Sequence, residues 1–319
     1  MLNGTAKRPS AGLKVELLTI QQGMNKSAEA VTQTDGSFQF LLPEDNGSPH
    51  WLLRSIYHGV NYNLSVTPSE DLTQPVTLTV YENTDSSDAI EVSLPLMLAQ
   101  ASGNVLFVQQ QYLLNNRTQP PRTFSNSKST FVFDTPSRDL LDELAVSVVG
   151  LAGIPLPQEP TPIPAQGFSI SYPMKPGVNE LRVSYKVKYP SNQRSFEHKL
   201  FYGSKSTQLL VLPASLSVTG AGLKPLGTDS RTQAAKYQID AIARGSVLRF
   251  EMDGDAPVVS EDVAGEGREE PQVQVVRLSN PVFEQRLYIL CGFGAIFIAV
   301  LLIALGRKAG SEGRRKRRS

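Results

Sequence analysis

The nine residues Leu181-Arg182-Val183-Ser184-Tyr185-Lys186-Val187-Lys188-Tyr189 alternate apolar and polar side chains without a break. Successive side chains of an extended strand point to opposite faces, so this order buries Leu181, Val183, Tyr185, Val187 and Tyr189 and wets the residues between them. A helix, with its period of about 3.6, does not sort side chains this way. The stretch predicts a strand with one wet face, as in an antiparallel sheet covered on one side only.

Outward from this strand the same character recurs. Extended runs are predicted at 89–100, 104–115, 129–134, 143–149, 168–173, 196–202, 207–212, 215–219, 236–243 and 246–251, with Pro, Gly, Asn and Asp between them. Short strands at such spacing predict a β-sandwich of immunoglobulin-like architecture over residues 85–255. The single cysteine, Cys291, excludes the disulfide-and-tryptophan core of antibody domains, so only the architecture is expected. Gly150–Gln166 breaks the rhythm with prolines at 155, 157, 160, 162 and 164, and reads as an extended, stiff, exposed hairpin excursion, either a docking segment for a partner or a solvated loop. Asp139, Asp142 and Glu143 are placed on a short helical turn over 137–144.

Residues 1–84 also alternate: Leu13, Val15 and Leu17 face inward, as do Phe38 and Phe40, then Val76, Leu78 and Val80. Asp35-Gly36 is the sharpest turn signal, with the strand expected to restart at Phe38. A polar linker, 81–88, leads to the second body.

The order AGLKVELL, TQTDGSFQFLLP, HWLLRSIYHGVNYN, VTLTVYEN resembles the carboxypeptidase regulatory-like domain, a transthyretin-like β-sandwich of bacterial envelope proteins. Thr34-Asp35-Gly36-Ser37-Phe38-Gln39-Phe40, Pro43, Gly59 and Tyr62 carry the match, with one residue fewer between Asp35 and Phe38 than the commonest form of the motif. The resemblance implies a fold for 1–84 and little about activity. It also implies an opening strand ahead of Leu2-Asn3-Gly4-Thr5, which would then be the turn after that strand. The chain is expected to lack that first strand.

Leu287–Gly306 is a run of 20 uncharged residues, and a helix of that length spans about 30 Å, the thickness of a bilayer core. Arg307, Lys308, Arg314, Arg315, Lys316, Arg317 and Arg318 follow it against one acid, Glu312. Basic residues beside a span stay on the cytoplasmic side, so the tail 307–319 is expected inside and the body periplasmic or extracellular. Residues 256–286 read as an acidic, glycine-rich tether leading to the cytoplasmic membrane. An exported body needs a signal that Met1–Gly12 does not supply, so an upstream start is expected; a cytosolic body with a tail anchor is the opposite topology.

The expected fold class is thus all-β: two β-sandwich domains, transthyretin-like then immunoglobulin-like, plus one C-terminal transmembrane helix. No catalytic, cofactor or metal residues are assigned. His50, His58 and His198 show no metal-ligand spacing, though His50 and His58 could meet on neighbouring strands, and no nucleophile or phosphate-loop motif occurs. Some relatives of the resembled family form an intramolecular Lys–Asn amide cross-link, and Lys14 and Asn83, on the first and last strands of 1–84, are the pair this resemblance points to. With the chain net +1 and its positive charge gathered in the tail, the body is net acidic and repels nucleic acid. The expected role is binding or scaffolding at the envelope, with the lipid bilayer and a protein or glycan as partners. A carbohydrate-binding alternative rests on Trp51, Tyr57 and Tyr62 and requires Trp51 on an exposed face. An enzyme with a site between the domains is the third reading.

Overall fold

A computed structural model describes residues 1–20, 24–41, 50–66, 74–136, 140–149, 155–164, 167–188, 195–254 and 256. All lie in one compact unit, Met1–Val259. Every regular element among the described residues is a strand, so the fold is all-β. No helix among the described residues is long and apolar enough to cross a membrane, and Leu287–Gly306 with its basic flank lies outside them.

The first layer pair contains a four-stranded antiparallel sheet in the order Met24–Val31, Lys14–Ile20, His50–Tyr57, Val60–Val66. Against it stands a small sheet of Arg8–Pro9, Leu2–Asn3 and Thr79–Val80. Val15, Leu17, Trp51, Leu53, Val60, Tyr62, Val66, Leu78 and Val80 fill the space between. Lys14 and Glu16 turn away from that core, as period two requires: Glu16 takes Arg54 of the next strand at 2.6 Å and Lys14 takes Glu29 at 2.7 Å.

Three readings of this region are corrected, and one strand went unread. Leu2–Asn3 is itself a strand, paired in parallel with Thr79–Val80, and not a turn. Phe38 and Phe40 lie inward with Gln39 exposed, but their backbone joins no sheet, so alternation here records burial without a ladder. Val76 is exposed, and only Thr79–Val80 of that run forms a strand. The strand Met24–Val31, MNKSAEAV, has only one apolar side chain in its first four places and is almost wholly solvated, so it carried no hydrophobic signal.

The second body is built on an eight-stranded sheet in the order Pro155–Gln158, Leu141–Val149, Gly177–Lys188, Val105–Asn116, Ile90–Ser102, Thr207–Leu212, Ala235–Ile239, Leu223–Thr228. Two three-stranded sheets cover one face: Phe131–Phe133, Gly167–Ile170, Thr161–Ile163, and Ser195–Lys199, Val247–Asp253, Ser217–Thr219. Leu181, Val183, Tyr185 and Val187 are all at most 4% exposed, in one core with Leu106, Val108, Tyr112 and Leu114 of the neighbouring strand. The alternation in Leu181–Val187 therefore marks the inner face, and the described architecture is sandwich-like.

The described part of the proline-rich excursion is extended and largely exposed, as expected, and its two arms are strands. Pro155–Gln158 extends the eight-stranded sheet and Thr161–Ile163 extends the covering sheet, so this arm ties the two layers at one side. The helical turn expected over 137–144 is also corrected, because the strand Leu141–Val149 already includes Asp142, Glu143 and Leu144; Glu143 pairs with Lys186 across the ladder at 3.0 Å. Asp139 lies outside the described residues.

Candidate functional site

The linker is where the two bodies are joined. Asn83–Thr84 pairs in parallel with Thr123–Phe124 of the second body, and the Arg122 guanidinium donates to the Asn83 carbonyl at 3.4 Å. Glu82 accepts from Asn3 Nδ2 and from Tyr57 Oη, each at 2.7 Å, while its other oxygen faces His58 Nε2 at 3.1 Å. These donors, led by Tyr57 and then Asn3, hold the Glu82 carboxyl below the usual carboxylate range. The stretch YENTDSSD, polar enough to read as a free linker, is a fastened seam.

Beside the seam, two adjoining cavities of about 290 and 470 Å³ separate the first sheet from the second body. Both are lined by Met24, Leu52, Asn63, Leu156, Tyr172 and Lys175. The smaller reaches Tyr62, Leu64 and Thr77–Thr79; the larger reaches Arg54, Asn61 and the Pro157-Gln158 end of the proline arm. Their sizes fall in or near the range of about 300–1,000 Å³ typical of ligand sites. The walls are mostly apolar, and what polarity they have is unbalanced. Arg54 is neutralised by Glu16, but Lys175 has no carboxylate partner among the described residues; its ammonium sits 5.3 Å from the centre of the Tyr62 ring. Burial lowers the Lys175 pKa from the ordinary lysine value, as expected for a cation held out of water without an anion. Asn63 Oδ1 is buried and accepts no hydrogen bond among the described residues.

No family model and no curated protein matches this chain.

The residues considered for glycan contact are dispersed. Trp51 is 4% exposed, deep in the first core, and Tyr62 is 2% exposed. A sugar stacks on an open ring face, which neither presents; the alternation of HWLLRSIY allowed Trp51 either face and the fold turns it inward. Tyr57 is half-buried and its hydroxyl is committed to Glu82. Tyr62 Oη donates to the Tyr81 carbonyl at 3.0 Å, which uses its one proton, so it accepts from Thr123 Oγ1 at 2.7 Å.

The histidines do not converge. His50 opens and His58 follows the single strand His50–Tyr57, so about seven residues at roughly 3.3 Å each hold them apart. His198 is buried in the second core. Among the described residues no group of three His, Cys, Asp or Glu side chains is placed to hold a metal. Lys14 contacts carboxylates and the Asn83 amide donates to the His58 carbonyl, so the two are not in position for an amide cross-link. Lys175 and Asn63 carried no local motif, and only the proline arm stood out in the sequence; what makes them a site is the docking of two bodies, which no single segment encodes.

Proposed function

We propose that this is a non-enzymatic binding or scaffolding protein of the bacterial cell envelope, anchored by one pass through the cytoplasmic membrane, with the body outside and the C-terminus inside. In this reading 1–84 is a transthyretin-like, carboxypeptidase regulatory-like module and 85–255 an immunoglobulin-like one, joined by the fastened seam and presented on the tether 256–286. The cleft between the modules is the partner surface. The single observation that carries it is the uncompensated Lys175 ammonium in a mostly apolar cleft beside the buried, undonated Asn63 Oδ1. Desolvating both groups costs stability, and a partner supplying an anion and a donor offsets that cost.

The glycan alternative loses its motive with Trp51 buried. The enzyme alternative asked for acidic and histidine groups meeting in a cleft; the described lining of these two cavities includes neither. A photo-crosslinking amino acid at Leu156, introduced into the full chain in intact cells, tests the reading. Capture of a discrete partner, with the body digested by protease added from outside the cytoplasmic membrane, supports it. No capture at Leu156 while a surface control position such as Lys128 does capture, or protection of the body from external protease, overturns it.

A further inference from the structure

The hairpin His50–Tyr57 to Val60–Val66 turns through His58 and Gly59, both with positive φ, at 48° and 77°. Such a two-residue turn makes its flanking pair, Tyr57 and Val60, the doubly hydrogen-bonded one. Bonded pairs then recur at every second residue, and the register puts Ser55–Tyr62, Leu53–Leu64 and Trp51–Val66 in that class. The backbone N–H and C=O groups of Asn61, Asn63 and Ser65 consequently point away from the sheet. Val60–Val66 is the outer strand of its sheet, and no backbone bond among the described residues takes up those groups.

This open edge lies in the cleft. Tyr62, Asn63 and Leu64 of this strand line the smaller cavity and Val60, Asn61 and Asn63 the larger, so the edge runs past both. A strand laid along it would present side chains to both cavities. The edges of the eight-stranded sheet are guarded: it ends on Pro155 and Pro157 at one side and on Pro225 with a bulge at the other. Val60–Val66 contains no proline.

We infer that the edge of Val60–Val66 is a strand-addition site for an extended peptide segment whose carboxylate side chain reaches Lys175. Backbone bonds to Asn61, Asn63 and Ser65 supply affinity, a donor from the peptide meets Asn63 Oδ1, and Lys175 selects the acidic side chain. The inference rests on the cleft being the partner surface and adds the class of partner.

The test uses the full chain in detergent micelles and the acetylated peptide amide Val-Thr-Val-Glu-Val-Thr-Val. Binding is followed by fluorescence polarisation, and backbone protection by hydrogen exchange with mass spectrometry. The expected result is binding with slowed exchange in 60–66, lost when the peptide is N-methylated at alternate positions. Asn61→Pro removes an outward N–H without touching the ladder and should abolish binding with the fold intact, checked by the unchanged melting temperature. Lys175→Met, or Gln for Glu in the peptide, should weaken binding about tenfold, the worth of one partly desolvated charge contact of about 1.4 kcal/mol. No binding by this peptide, equal binding by the N-methylated peptide, or unchanged binding to both Asn61→Pro and Lys175→Met overturns the inference. If crosslinking from Leu156 still captures a partner in that case, the cleft remains the partner surface and strand addition alone has failed.

Discussion

Tyr62 of the first body and Thr123 of the second share a buried hydrogen bond of 2.7 Å. It stands at the seam, with the Tyr81 carbonyl on its other side and the Lys175 ammonium over its ring. Thr123→Val removes one donor while Tyr62 Oη keeps its bond to the Tyr81 carbonyl, so it should cost about 0.5–1.5 kcal/mol. Tyr62→Phe also takes the donor from the Tyr81 carbonyl and strands the Thr123 hydroxyl, and should cost about 1–3 kcal/mol. With Phe at 62, Thr123→Val should cost less than it does beside Tyr62. A double-mutant cycle on urea unfolding midpoints measures this, and strictly additive effects would show that the bond does not couple the bodies.

His198 gives the second core an acid sensitivity. Tyr112 Oη donates to Gln110 Oε1 at 2.9 Å, so the Gln110 amide nitrogen faces Tyr185 Oη at 3.3 Å and His198 Nε2 at 3.1 Å. A donor facing Nε2 requires the neutral ring with its proton on Nδ1, an atom with no partner among the described residues. Protonation would set two donors against each other in a dry core. Burial accordingly lowers the His198 pKa to about 4 from the ordinary 6.5. A depressed pKa contributes stability that is whole above pH 6.5 and fades as pH falls toward about 4. The full swing is on the order of 3 kcal/mol at 1.36 kcal/mol per pH unit. Burial raises the Asp134 pKa instead, which favours the folded state as pH falls and opposes the histidine at the acid end. The expected outcome is a stability loss from pH 6.5 to 4.5 that flattens in His198→Phe, whatever that variant's stability at pH 7; an unchanged slope would contradict the tautomer assigned.

Much of this second body was legible, and the reason is physical. Strands such as Gly177–Lys188 and Val105–Asn116 bury one face under another layer, so selection for apolar side chains at every second place writes the fold into the order of residues. Met24–Val31 escaped because both of its faces are largely wet, and Leu223–Thr228 escaped because it is an exposed edge strand interrupted by Pro225. The candidate site was scarcely legible at all. Trp51 and Tyr62 drew attention as aromatics and proved to be core, while Lys175 is one cation among many until a neighbouring body removes its water.

Gly36 provides a local test of the first body. Its φ is +77°, the Asp35 carboxylate caps the Ser37 amide at 2.9 Å, and a Cβ at this position would stand 2.5 Å from the Met1 carbonyl oxygen. Gly36→Ala meets both a left-handed backbone and a clash with main chain that cannot swing aside. A loss of about 1–3 kcal/mol is expected, seen as a lower thermal midpoint. Asp35→Asn keeps an acceptor for Ser37 and should cost much less. If the two variants melt alike, the turn is not held by the glycine.

The prolines at the two ends of the eight-stranded sheet predict what keeps the second body from pairing with itself. Pro155 and Pro157 sit at alternate places opposite Val149 and Ser147. A proline facing that ladder would orphan a carbonyl, so both turn their missing N–H outward and leave Leu156 and Gln158 to pair inward. At the far end Pro225 adjoins a bulge between Pro225 and Gly227, which removes a donor and bends the edge away. Both ends thus offer a visiting strand few donors and poor register, and their side chains are largely exposed, so burial does not explain the choice of residue. Replacing Pro155, Pro157 and Pro225 together by Thr restores the donors with little change in hydrophobicity. The variant should associate with itself as concentration rises, with new intermolecular β-structure in the infrared amide band, while the parent does not; light scattering after size exclusion in micelles measures it. A variant that remains as monodisperse as the parent would mean that the exposed side chains, not the prolines, protect these edges, and would weaken the contrast with the proline-free edge of Val60–Val66.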